Sequence, residues 1–206
     1  MGYQLRPVTR ATLEEMPAVC RDCVFWQSRE GREVEKARWA ERVEEGWGAW
    51  GTLYVADGDR LLGSIQYGPA GEFPRAEELP AGPPSGDAVL ITCAYLVDPS
   101  SPWVMQSLFL AVIGEARDRR IPAIETFGYR YPEAQSAYER FIVHRTVFPA
   151  DFLADFGFYP KRADGRVELA RLELGGLVPV PETSVERLLD RAKELLAPRP
   201  GHAASP

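Results

Sequence analysis

The chain has 206 residues, 45% of them hydrophobic and 26% charged, and a formal net charge of −6. That size suits one domain with a substantial core plus a short appendage. The acidic balance excludes the basic footprint of a nucleic-acid binder, and no apolar run approaches the ~20 residues that span a bilayer. The N-terminus from Met1 to Arg6 lacks the apolar stretch of a secretion signal, so we expect a cytoplasmic protein with neither a nucleic-acid nor a membrane partner.

Taken in chain order, Tyr3 to Pro7 reads as a strand and Leu13 to Phe25 as a helix. That helix carries Cys20 and Cys23. With three cysteines in all, a disulfide framework is excluded. A Cys-x-x-Cys suggests half a zinc site or a redox pair, but no second pair follows, and His144 and His202 stand at no ligand spacing. We therefore expect no metal, with Cys23 buried on the helix's packed face. From Arg29 to Glu45 helix formers dominate, and Trp39 shares a face with Val43. Gly46 ends that run, and Trp47 and Trp50 follow. Gly51 to Gly68 reads as a hairpin turning at Ala56-Asp57-Gly58-Asp59. Pro69 to Gly86 is a Pro- and Gly-rich loop, in which Phe73, Glu77 and Glu78 are candidates to face a ligand or partner.

The most informative stretch is Asp87 to Gly128. An apolar strand from Val89 to Val97 ends in Asp98-Pro99-Ser100-Ser101-Pro102. Ser101 can cap a helix that Pro102 opens. The helix runs to about Arg120 with Leu108, Phe109, Val112, Ile113 and Ala116 on one face, and a second strand spans Ala123 to Phe127. A strand that feeds directly into a helix start makes a place for an anion, because the first amides of a helix have no intrahelical acceptor. Further on, Glu133 to Val143 reads as an inserted helix with Tyr138, Phe141 and Ile142 inward. Ala150 to Phe158 reads as a short helix ending at Gly157, and Val167 to Leu174 as the last strand. Gly175-Gly176 marks a boundary, giving a domain over 1–176 and an appendage over 177–206. The appendage holds an amphipathic helix at about 184–196, whose apolar face must dock on the domain, on a second subunit or on another protein.

In order and spacing, Tyr3–Pro7, the 51–68 hairpin, the 87–128 unit and the 150–158 helix together resemble the GNAT N-acetyltransferase superfamily across residues 3–174. The resemblance implies an α/β fold: a mixed, mostly antiparallel sheet with a central parallel strand–helix–strand unit and helices on both faces. It implies acetyl-CoA as acyl donor. The pantetheine would lie along Tyr95, Leu96 and Val97. The pyrophosphate would lie at Ser101 and the backbone of Val104, Met105, Gln106, Ser107 and Leu108. The acyl acceptor would be an amine of a small molecule or a protein.

The chain departs from the family pattern at several places. Pro102, Met105 and Ser107 stand where the family has Arg/Gln, Gly and a second small residue, which sets the Met105 side chain against the expected cofactor. Cys93 and Ala94 stand where many members place a glutamate base, and Leu153 where many place a tyrosine acid. Tyr95, Tyr129, Tyr131, Tyr138 and His144 are replacement candidates, His144 for its near-neutral titration and Tyr138 as a phenol acid. Cys93 is a candidate acyl-carrying thiol. Trp26, Trp47, Trp50 and Tyr129 are candidates for the acceptor wall. The alternative reading is a non-catalytic binding or regulatory module that keeps the fold alone.

Overall fold

A computed structural model describes residues 2–29, 34–99, 101–132 and 147–176. Tyr138, His144, the 133–143 helix and the 184–196 helix therefore lie outside the described residues. The strands are β1 (Tyr3–Pro7), β2 (Gly51–Ala56), β3 (Arg60–Pro69), β4 (Ala88–Leu96), β5 (Ala123–Tyr129), β6 (Phe148–Pro149), β7 (Tyr159–Asp164) and β8 (Val167–Glu173). They form one sheet in the order β1-β2-β3-β4-β5-β8-β7, with β6 added on β5. Only the β4–β5 and β5–β6 pairs are parallel; the rest are antiparallel. The helices are α1 (Ala18–Arg21), α2 (Lys36–Gly46), α3 (Pro102–Asp118) and α4 (Ala150–Asp155).

Strand alternation divides the core between the two faces of the sheet. Val89 and Ile91 pack with α3 through Leu108, Phe109 and Val112, while Leu90 faces the side of Trp39, Val43, Trp50 and Phe127. Parallel strands need a long crossover, and α3 supplies it between β4 and β5. The alternation changes phase once in β4. Ile91 pairs with Tyr67 and Cys93 with Gln66, so Thr92 is an extra residue in the register. This β-bulge bends the strand and re-aims the side chains beyond it. Past Thr92, Ala94 and Leu96 belong to the α3 side, and Cys93 packs on the other. β4 pairs with β5 only as far as Ile91 and Thr126. Because β8 occupies the opposite edge of β5 along its whole length, β6 takes the edge that β4 vacates, at Gly128 and Tyr129. The two central strands thus part at the bulge.

Three local expectations are corrected. The predicted 13–25 helix is instead a 3-10 turn over Arg10–Glu15 followed by the four-residue α1. Pro17 separates them, since it has no N–H to donate within a continuous helix. Cys23 lies past the end of α1 and is exposed, not buried. In the 69–86 loop, Phe73 is turned into the core and not toward a ligand or partner. Phe73 is fully buried against Trp39 at 5.7 Å, Arg162 donates to the carbonyl of Ala81 (2.8 Å) and also to that of Pro83, and Ser85 donates from its amide and hydroxyl to Glu125, 2.7 Å each.

Candidate functional site

The bulge sets the geometry of the site. Below the bulged half of β4, on the face away from α3, lies a cavity of about 170 Å³ lined by Met16, Cys20, Cys23, Gln66, Cys93 and Tyr95, among others. Cys20 and Cys23, remote in sequence from Cys93, thus meet it at one wall. Among the described residues no group of three histidines, cysteines or carboxylates is arranged to hold a metal ion. Lys36 is buried behind the thiols, donating to the carbonyl of Cys23 at 2.9 Å. Desolvation lowers its pKa to about 8.

The Cys93 thiol is pushed up to about 12, chiefly by burial. Its sulfur lies 3.8 Å from Gln66 Oε1 and 3.9 Å from Thr92 Oγ1. A thiol so placed stays protonated at neutral pH, so Cys93 is not an activated nucleophile. Leu153 is buried in the α3-side core. The four aromatic candidates do not converge. Trp26 and Trp50 are fully buried, the first stacked on Phe127 at 6.0 Å and the second edge-on to Trp39 at 5.0 Å. Trp47 lies under Arg119 near the far end of α3, 4.5 Å from ring centre to guanidinium carbon. Tyr129 closes β5 and contacts Tyr131 at 4.8 Å. Trp26 and Trp50 belong to the core on the face of the sheet away from α3.

On the other edge of bulged β4, no described strand pairs with residues beyond Ile91. Here Tyr95 is half-buried, Leu96 buried and Val97 exposed. Val97 donates its amide to Leu62 of β3 at 2.9 Å, so that amide faces β3 and not the open edge. This open edge suits an extended chain bearing amides, such as pantetheine.

The start of α3 suits a pyrophosphate less well. Of its first four amides, that of Ser101 is bonded to Asp98 and that of Val104 to Ser101, each at 3.1 Å; Pro102 has no N–H, which leaves Trp103. From Met105 onward the amides lie inside the helix and point back to its own carbonyls. The Ser101 hydroxyl donates to the Asp98 carboxylate (3.2 Å) and that of Ser107 to the Trp103 carbonyl (2.9 Å). The pyrophosphate contacts expected at Val104, Met105, Gln106, Ser107 and Leu108 are thus corrected for the backbone of Met105 to Leu108. Val104, Met105 and Leu108 point their side chains into the core and Gln106 points outward. Met105 therefore faces the sheet rather than a cofactor.

No family model and no curated protein matches the sequence. Among solved structures, the PaiA N-acetyltransferase from Thermoplasma acidophilum, in complex with coenzyme A, aligns with a TM-score of 0.52 at 13% identity, covering 84% of this chain and 99% of that one. The ribosomal-protein-S18-alanine N-acetyltransferase from Escherichia coli aligns at a TM-score of 0.47 and 11% identity, covering 86% and 100%. Ard1 from Thermoplasma volcanium aligns at 0.48 and 10%, covering 84% and 99%. The fold matches that of the GNAT N-acetyltransferases: an open, mostly antiparallel sheet with a central parallel pair. No described helix is long and apolar enough to cross a membrane.

Proposed function

We propose that the chain is an acyl-CoA-dependent N-acetyltransferase acting on an amine of a small molecule or protein. The observation that carries this reading is the parting of β4 from β5 at the Thr92 bulge. It opens the edge of residues 93–97 on one side and exposes the Cys93 cavity on the other. Bound acetyl-CoA would supply the activated acyl group. The part left to this chain is to hold a neutral amine in line and to exclude water, a contribution of proximity and orientation rather than of acid–base chemistry. No described residue lining the cavity is a carboxylate or a histidine, so the amine's proton would pass to solvent.

A second reading, a binding module without acyl transfer, is favoured by the start of α3, where Pro102 and the chain's own hydrogen bonds leave few amides for a pyrophosphate. Thermal melting decides between them. A ligand that binds only the folded chain stabilises it by about 2.7 kcal/mol at a hundredfold excess over Kd. A rise in Tm with acetyl-CoA, accompanied by acetylation of an amine panel, supports the enzyme. An unchanged Tm at millimolar acetyl-CoA supports the module.

A further inference from the structure

The cavity beside Cys93 has a chemical character of its own. None of its lining residues carries a charge, and three are cysteines, with Met16 adding a fourth sulfur. Thiols and thioethers are soft, polarizable groups that pack well against aromatic rings. Gln66, the amide in the cavity wall, is already engaged: its Oε1 accepts from Thr92 Oγ1 at 3.2 Å and lies against the Cys93 thiol. An ammonium entering here would lose its hydration without gaining a carboxylate, and would sit near the buried Lys36. A carboxylate would lose hydration as well, while the Lys36 ammonium is already held by the Cys23 carbonyl and the Trp39 and Trp50 rings. An apolar protein cavity of about 150 Å³ holds a benzene ring; this one measures about 170 Å³.

We propose that the sulfur-lined cavity formed by Cys20, Cys23 and Cys93 is a binding site for a neutral aromatic group of phenyl to indole size. As the identity of an acyl acceptor's side chain, this rests on the acetyltransferase reading; as a binding site it does not. Val19 lies on the rim, 59% exposed, and can be changed without disturbing the core. Cys93 lies in the wall and can be enlarged to fill the space.

Calorimetry on the full chain without coenzyme A, using indole, putrescine and benzoate as probes, tests the proposal. Indole should bind saturably at one site. Val19→Glu and Cys93→Leu should each weaken it by about tenfold or more, with circular dichroism confirming that both variants are folded. Putrescine and benzoate should bind more weakly than indole. Absence of saturable indole binding, preference for putrescine or benzoate, or indole affinity unchanged in Val19→Glu would overturn it. Since no cofactor is present, loss of the acetyltransferase reading leaves this result standing, and an active acetyltransferase that ignores indole would still refute it.

Discussion

Lys36 Nζ stands 4.7 Å from the centre of the Trp39 ring, and the Trp50 ring lies on it at 5.2 Å. The two indoles offset part of the lost hydration through their negative faces, and the Cys23 carbonyl accepts one hydrogen bond. Burial still dominates, bringing the ammonium from 10.5 to about 8. Below pH 8 both folded and unfolded chains hold the proton and the full burial penalty applies. Between pH 8 and 10.5 the unfolded chain holds it and the folded chain does not, so raising the pH favours folding.

Lys36→Met removes this linkage. The stability of the wild type relative to that variant should climb by up to roughly 3 kcal/mol across that window. Urea titrations of both proteins at pH 7.5, 9 and 10.5 read it directly, and the comparison cancels the opposing titration of Cys93. A difference that stays flat with pH would place the ammonium in water.

Glu125 is fully buried and accepts from Lys161 at 2.9 Å and Arg171 at 3.0 Å as well as from Ser85. Burial alone would raise its pKa, but the Ser85, Lys161 and Arg171 hydrogen bonds outweigh that and hold it below the ordinary range. Glu125→Ala removes one of the three carboxylates on Arg171, with Asp87 and Glu173 remaining, and leaves Ser85 and Lys161 without their acceptor, so it should cost about 1.5 to 3 kcal/mol. Denaturant unfolding checks this, and a loss under about 1 kcal/mol would mean that the cluster rearranges freely.

Met105 is buried under the sheet. Met105→Gly should therefore cost about 3 to 5 kcal/mol, from the cavity and from a glycine in a helix, and bring no gain in affinity for coenzyme A. Tighter binding in that variant would mean that the side chain does stand between helix and cofactor.

Cys23 and Cys93 should differ in reactivity. Cys23 is exposed, whereas Cys93 is held protonated by burial. Brief iodoacetamide treatment of native protein, followed by peptide mass spectrometry, should find Cys23 labelled and Cys93 intact. Equal labelling would contradict the burial of the Cys93 thiol.

The parts of the fold that the sequence disclosed are those with short-range causes. The 89–97 apolar run, the Ser101-Pro102 helix start and the Asp57-Gly58 turn carry their own signals. Pro17 is also a signal, and its usual weight as a helix breaker splits the first helix. The site was less legible because its causes are long-range. Nothing local in Ala18–Cys23 indicates Cys93, and the phase change at Thr92 exists only in the pairing with Gln66 and Tyr67. The tryptophans were misleading for a different reason: an indole that lines a ligand and one that fills a core look alike until neighbours such as Phe73 and Phe127 are known.

In the proposed function the open edge of β4 receives an acyl-CoA. Backbone amide shifts recorded during titration with acetyl-CoA test it most directly. Saturable shifts that are largest at residues 93–97, with smaller ones at Met105 to Leu108, are the predicted result. No saturable shift at 93–97 with acetyl-CoA or longer acyl-CoAs at millimolar concentration would contradict it.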